Sequence, residues 1–313
     1  MNRRKIILSL LLFISLNVFS QNEGGIGNIT RDSLRDCSFE LTKAKDQLNA
    51  LQKYVKKIRT PHSEKGSSTL NTGKYYALII TVQDYINEEN FPDLKYTIRD
   101  GRNLEKVLDE NYEFEEIHIL ENPDKPAILR QLYGLQAQAK ENDNVLIFYA
   151  GHGEKWNTTK TKQGYWCPKD AEYGNPMTLM NNSDIILYLQ LIPAKNILLI
   201  SDACFAGSIG ADRAVRPTPS GVIQEIYNIP SCQYISSGSN TTVPDESTFI
   251  INLLKALKDN TAKYLSASDL FFKNGVKESY TRSNGDHVLP NFSTLEEAGH
   301  KKGGDFIFIK KDK

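Results

Sequence analysis

The chain lacks an excess of charge of either sign: across 313 residues, 38 Lys and Arg balance 38 Asp and Glu. Proteins that hold nucleic acid by attraction to phosphate carry a basic surplus, so that class is excluded. Cysteine is scarce. Four residues cannot build a disulfide scaffold, and Cys37, Cys167 and Cys232 lack metal-ligand spacing, which argues against zinc. With 20 Gly and 12 Pro the composition is neither collagen-like nor disordered. No internal repeat and no glycine-rich phosphate loop is present. Only one run is apolar enough to approach a membrane span, and it sits at the N-terminus, so a multi-span membrane protein is excluded. What remains, 40% apolar and 24% charged residues, is ordinary for a globular protein of one large or two modest domains.

Arg3, Arg4 and Lys5 precede an apolar run from Ile6 to Leu16, with Val18 and Ser20 at the small-residue positions of a cut before Gln21. That is the layout of a secretory signal peptide over residues 1–20. The run, interrupted by Ser9 and Ser15, is shorter than a spanning helix needs. The expectation is an exported protein, periplasmic or extracellular, with no membrane span after cleavage. Residues 21–60 read as a helical stalk: Leu34, Cys37, Leu41, Ala44, Leu48, Leu51, Val55 and Ile58 alternate gaps of three and four, a heptad seam. Either the stripe lies on the main domain or it joins two copies into a homo-oligomer, with Cys37 facing its twin. Residues 61–73, with Pro61, Gly66, Ser67, Ser68 and Gly73, read as a flexible linker.

From Lys74 to Lys313 strands and helices alternate. Apolar strands are expected at Tyr75–Val82, Ile117–Leu120, Val145–Tyr149, Ile197–Ile200, Tyr234–Ser236 and Phe306–Ile309. Helices are expected around Leu104, Leu132, Ile185–Leu191 (capped by Ser183 or Asp184), Phe249–Leu257 and Leu270–Val276. This pattern predicts an α/β fold: an open, mainly parallel sheet of about six strands with helices on both faces, preceded by the N-terminal helical segment. Sites in such sheets form at the carboxyl ends of strands.

Two strand ends carry chemistry. His152 stands between Gly151 and Gly153 directly after the third strand, and Cys204 follows the fourth by a few residues, 52 positions later. Neighbouring parallel strands would bring a thiol nucleophile and an imidazole to one edge, as covalent acyl transfer needs. A lone buried His or Cys is usually structural; the pair in two glycine-rich turns is far more specific.

Tyr149-Ala150-Gly151-His152-Gly153 and Asp202-Ala203-Cys204-Phe205-Ala206-Gly207 resemble the His and Cys motifs of caspase-like cysteine peptidases, in particular the metacaspase and bacterial caspase-like branch, and the spacing agrees with that of caspases. The resemblance covers about residue 74 to the C-terminus, including Leu94–Asp100 and Trp166–Asp170. It departs from true caspases where Asp202 replaces Gln and Phe205 replaces Arg. It implies a peptidase domain with a large part at about 74–212 and a small part at about 231–313, joined by the loop 205–231. It further implies that Cys204 is the nucleophile, that His152 transfers protons, and that the N–H groups of Gly153 and Cys204 form the oxyanion hole. Asp202 and Asp100 would line the pocket for the residue before the cut and favour polypeptides with Arg or Lys there. The duller readings are a turn hydrogen bond for Asp202 and a helix-dipole charge for Asp100.

The loop 205–231 offers Arg213 and Arg216 as self-cleavage sites, or stays an uncut surface loop. Lys65 and Lys74 offer a second place to release the stalk. No cofactor and no metal are expected; Asp170, Glu172 and Asp212 are the carboxylates that bear on calcium activation, and isolated carboxylates are ordinarily solvated surface. The alternative function is a catalytically silent caspase-like interaction module.

Overall fold

The structure, a computed structural model, describes residues 70–157, 162–203, 223–238, 247–278, 280–281 and 287–312. The expected signal peptide, the heptad stalk and residues 61–69 lie outside the described residues, as do residues 204–222. Among the described residues no helix is long and apolar enough to cross a membrane.

In chain order the elements begin with β1 (Tyr75–Thr81), α1 (Thr97–Asn111), β2 (Glu116–Glu121), α2 (Lys125–Gln138) and β3 (Asn144–Ala150). A hairpin follows, β4 (Gly153–Asn157) and β5 (Lys162–Trp166), then β6 (Met180–Asn181), α3 (Asn182–Leu191) and β7 (Asn196–Asp202). The rest is α4 (Ile223–Tyr227), β8 (Ser231–Ser236), α5 (Thr248–Asp259), β9 (Tyr264–Ser266) and α6 (Ala267–Phe272). It closes with β10 (Tyr280–Thr281), β11 (His287–Val288), β12 (Asn291–Thr294) and β13 (Ile307–Ile309).

The main sheet has six strands in the order β12-β8-β7-β3-β1-β2. All neighbours are parallel except β12, which runs antiparallel to β8 at one edge. β1, β3 and β7 are buried along their whole length, and their central residues form near-continuous apolar runs, as in strands covered on both faces. β2, the opposite edge, alternates Glu116, Ile117, His118 and Ile119 and stays partly exposed.

Residue parity along each strand sorts the core into two layers. Val145, Ile147 and Tyr149 of β3 and Ile197 and Leu199 of β7 pack beneath Ile128, Leu132 and Leu135 of α2 and Ile185 and Leu189 of α3. Leu146, Phe148 and Ala150, with Leu198 and Ile200, face Leu104 and Leu108 of α1 and Phe249, Leu253 and Leu257 of α5. Each fully buried Leu, Ile or Phe contributes roughly 1.5–3 kcal/mol, so both layers stabilise the sheet between them.

Three expectations need correction. Phe306–Ile309 does not close the main sheet: β13 pairs with β9 in a separate antiparallel ribbon, and the sixth strand is β12. Both runs are too short for periodicity to say which partner they choose; non-local packing decides. The cap of α3 is Asn181, whose side chain accepts from the Ser183 N–H at 2.7 Å, rather than Ser183 or Asp184. The linker's last residues, expected to be flexible, are held: the N–H groups of Leu70 and Gly73 donate to the hydroxyls of Tyr264 and Tyr227.

Candidate active site

β3 and β7 are neighbours, and their register pairs Tyr149 with Ser201 and Ala150 with Asp202. Beyond the last pair, the Gly151 N–H still reaches the Asp202 carbonyl at 3.3 Å. A Cβ on Gly151 would stand 2.8 Å from the Tyr149 hydroxyl and 2.9 Å from the Tyr85 hydroxyl, so only glycine lets both phenols close behind the turn. His152 follows, buried at 7% exposure. Its backbone N–H donates to the Tyr85 hydroxyl at 2.8 Å. Its carbonyl accepts from the Tyr149 hydroxyl at 2.8 Å and from the Cys167 N–H at 3.0 Å. Tyr149 in turn stacks flat on Trp166, ring centres 4.3 Å apart.

The imidazole is gripped by the loop that follows β1. The Tyr85 ring centre lies 4.9 Å from it and that of Phe91 6.1 Å. Nε2 lies 2.7 Å from the Pro92 carbonyl oxygen. A carbonyl only accepts, so Nε2 carries the proton and the neutral ring keeps Nδ1 as its basic nitrogen. Burial pushes the imidazole below its ordinary value of 6.5, while the Pro92 carbonyl and the Asp93 charge pull it back up. At neutral pH the ring is therefore an uncharged base with one fixed N–H. It can take a proton from a thiol at Nδ1 and return it to a departing amine.

Gly153 opens β4 opposite Trp166. Because the flanking bond runs from the Cys167 N–H to the His152 carbonyl, this is a non-hydrogen-bonded pair, and the Gly153 N–H points away from β5.

Thr81, Ala150 and Asp202 form one row across the sheet's carboxyl edge. By parity all three face the α1 layer. Asp202 is buried at 3% exposure and Asp100, in the first turn of α1, at 7%. Next to it, a Cβ on Gly101 would meet the Thr81 Cγ2 at 2.4 Å, which shows how tightly this turn seats on β1. At about 4.8 Å per strand, the Cα atoms of Thr81 and Asp202 stand about 10 Å apart with the small Ala150 between. The two carboxylates thus share one face and one edge. Asp100 accepts from Nε and Nη2 of Arg99 at 3.1 and 3.0 Å, and the Arg99 guanidinium lies 4.0 Å over the Tyr96 ring.

Cys204, Arg213 and Arg216 lie outside the described residues, as do Cys37, Lys65 and Asp212. Lys74 is unsuited to cleavage. Its N–H donates to Asp143 Oδ1 at 2.9 Å and its carbonyl accepts from the Asn144 N–H at 2.8 Å, so the following peptide bond is woven into the sheet. Cys167 and Cys232 are both buried and form no disulfide with each other. Asp170 accepts from the Lys125 N–H and Glu172 from the Asn175 amide. Among the described residues no cluster of three or more His, Cys, Asp or Glu could hold a metal ion.

Sequence reasoning missed the Pro92 carbonyl and Tyr85. A carbonyl is common to every residue, and Tyr85 acts through a fold contact 67 positions away; neither leaves a signal in spacing.

The Caspase domain family (Peptidase_C14) matches residues 74–294. Metacaspase-1 of Ajellomyces capsulatus is 29% identical over 176 residues, covering 49% of this chain and 46% of that relative; the match spans about half of the relative's length. Among solved structures, a protein of Geobacter sulfurreducens aligns with a TM-score of 0.51 at 14% identity, covering 75% of this chain and 100% of the other. Caspase-1 from Spodoptera frugiperda aligns with a TM-score of 0.51 at 14% identity, covering 72% and 91%. At that identity the solved structures share the fold alone.

Proposed function

Because the chain belongs to the Caspase domain family, we propose that it is a cysteine endopeptidase that cuts polypeptides after Arg or Lys. The observation that carries the reading is His152: a neutral imidazole, its Nε2–H fixed on Pro92, at the end of the strand next to the one that leads to Cys204. Two peptide units beyond Asp202, the Cys204 Cα is kept by covalent reach within about 7 Å of the Asp202 Cα.

In the proposed reaction Nδ1 of His152 takes the thiol proton and the Cys204 sulfur attacks the scissile carbonyl. The oxyanion settles on the N–H groups of Gly153 and Cys204, each such donor worth roughly 3–4 kcal/mol in the transition state. His152 returns the proton to the departing amine, leaving a thioester. It then draws a proton from water, whose oxygen breaks the thioester and restores the thiol. The carbonyl of Pro92 keeps the ring from turning over between steps. Asp100 and Asp202, on one face beside Ala150, attract a basic side chain and repel an acidic one. Export by the N-terminal segment and cutting of the loop 205–231 at Arg213 or Arg216 belong to the same proposal.

The test is a fluorogenic peptide panel ending in Arg, Lys or Asp, with Cys204→Ala as control. Turnover of the basic peptides only, abolished in Cys204→Ala and weakened by Asp202→Asn, is the expected result. Preference for Asp would overturn the specificity. No turnover on any peptide, with or without calcium and reductant, would leave the interaction module as the better reading.

A further inference from the structure

The imidazole of His152 is held from three sides by one loop, residues 83–94, so what fixes that loop fixes the ring. At its far end the loop is closed by the Leu94 N–H on the Gln83 carbonyl at 2.9 Å and by Asp93 Oδ1, which accepts from the Tyr85 N–H at 2.8 Å. At its root stands a residue that follows another strand. Asn122, directly after β2, is the single non-glycine residue with positive φ (49°) among the described residues. Its N–H donates to the Thr81 carbonyl at 2.7 Å. Its Oδ1 accepts from the N–H groups of both Gln83 and Asp84, at 2.7 and 3.0 Å, and its Nδ2 donates to Asp84 Oδ2 at 2.6 Å.

A left-handed backbone is unfavourable for most L residues, and Asn is among the few that adopt it where its short amide can hydrogen-bond locally. Here the twist has a visible return: it swings one amide into reach of two consecutive loop N–H groups that would otherwise need water. Neighbouring bonds carry the same turn to the opposite wall. The Lys169 N–H donates to the Pro123 carbonyl, and the Ile86 N–H donates to the Lys169 carbonyl.

We propose that Asn122 is a positioning residue for the proposed peptidase: it clamps the root of loop 83–94 and so sets the Pro92 carbonyl and Tyr85 against His152. This rests on His152 being the proton-transfer group. Asn122 touches neither substrate nor the reacting atoms; it acts through the loop.

The experiment uses the full chain in two forms. In Cys204→Ala protein, the ring nitrogens of His152 are observed by NMR, assigned by their loss in His152→Gln. With Asn122 present the signals are those of a fixed Nε2–H tautomer; in Asn122→Ala and Asn122→Gly they move toward a tautomer mixture. Glycine accepts positive φ, so Asn122→Gly stays folded while lacking the clamp. In active protein both variants lower kcat roughly 10–100-fold, the scale of a reacting group misplaced by an ångström, while KM moves by less than about twofold. The swap Asn122→Asp with Asp84→Asn rebuilds both acceptors and the side-chain pair with charge exchanged, and restores most of kcat. Unchanged ring signals, an unchanged kcat, or a swap no better than Asn122→Ala would each overturn the assignment. If unsubstituted protein turns over no peptide, the peptidase reading fails, and the ring spectrum still decides the clamp.

Discussion

Two buried histidines are expected to couple the stability of this protein to pH. Burial lowers His152 against the opposing pull of the Pro92 carbonyl and Asp93, and it lowers His300 against the pull of Glu296. In the unfolded chain both titrate near about 6.5. Below that value the unfolded state binds protons that the folded state refuses, so stability falls with pH; above it the contribution is intact. His300 accepts from the Cys232 N–H through Nδ1 at 3.3 Å, a bond that protonation destroys. Melting temperature is thus expected to fall between pH 7.5 and 5.5. The fall shrinks in His300→Asn, whose Oδ1 can stand where Nδ1 stood; an equal fall in that variant would clear His300 of a part. The sequence pointed to His152 through its glycine neighbours and to Asp100 and Asp202 through resemblance. His300 and Asn122 gave no such sign, because their roles depend on burial and on one backbone dihedral.

At the level of elements, the buried strands were legible because a strand covered on both faces carries an apolar run through its middle, as β1, β3 and β7 do. The hairpin of β4 and β5 was not: Gly153–Asn157 and Lys162–Trp166 mix charge, glycine and aromatic residues, and only their pairing makes them strands. The same contrast between core and boundary sets stability. Phe148 is wholly buried between β3 and the α1 layer, and Phe148→Ala is expected to cost about 3–5 kcal/mol. Asp124, whose Oδ1 accepts from the Ala127 N–H at 2.7 Å to cap α2, is expected to cost about 1 kcal/mol as Asp124→Ala. Denaturant unfolding measures both, and a cap variant as damaging as the core variant would mean that the β2–α2 turn holds more than its helix.

For the molecule as a whole, strand order and chain order disagree, and that has consequences for cutting. A nick between Ala203 and Ile223 would part the chain just before α4 and β8, yet β8 lies between β7 and β12, paired to β7 from Ser231 to Ser236. Tyr227 of α4 reaches back too: its hydroxyl accepts from the Gly73 N–H and the Asn144 amide and donates to the Asn142 carbonyl. Nicked protein is therefore expected to elute as one particle in size exclusion and to part only in denaturant; two separate peaks in buffer would refute this. The same topology fixes two opposite ends. Leu70 to Lys74 are fastened where the strands start, whereas His152 stands where they finish, roughly 20 Å away along seven residues of β3. A bead or surface coupled at Leu70 would thus grip the domain by its back and leave the rim that carries His152, the proposed site, at the far end.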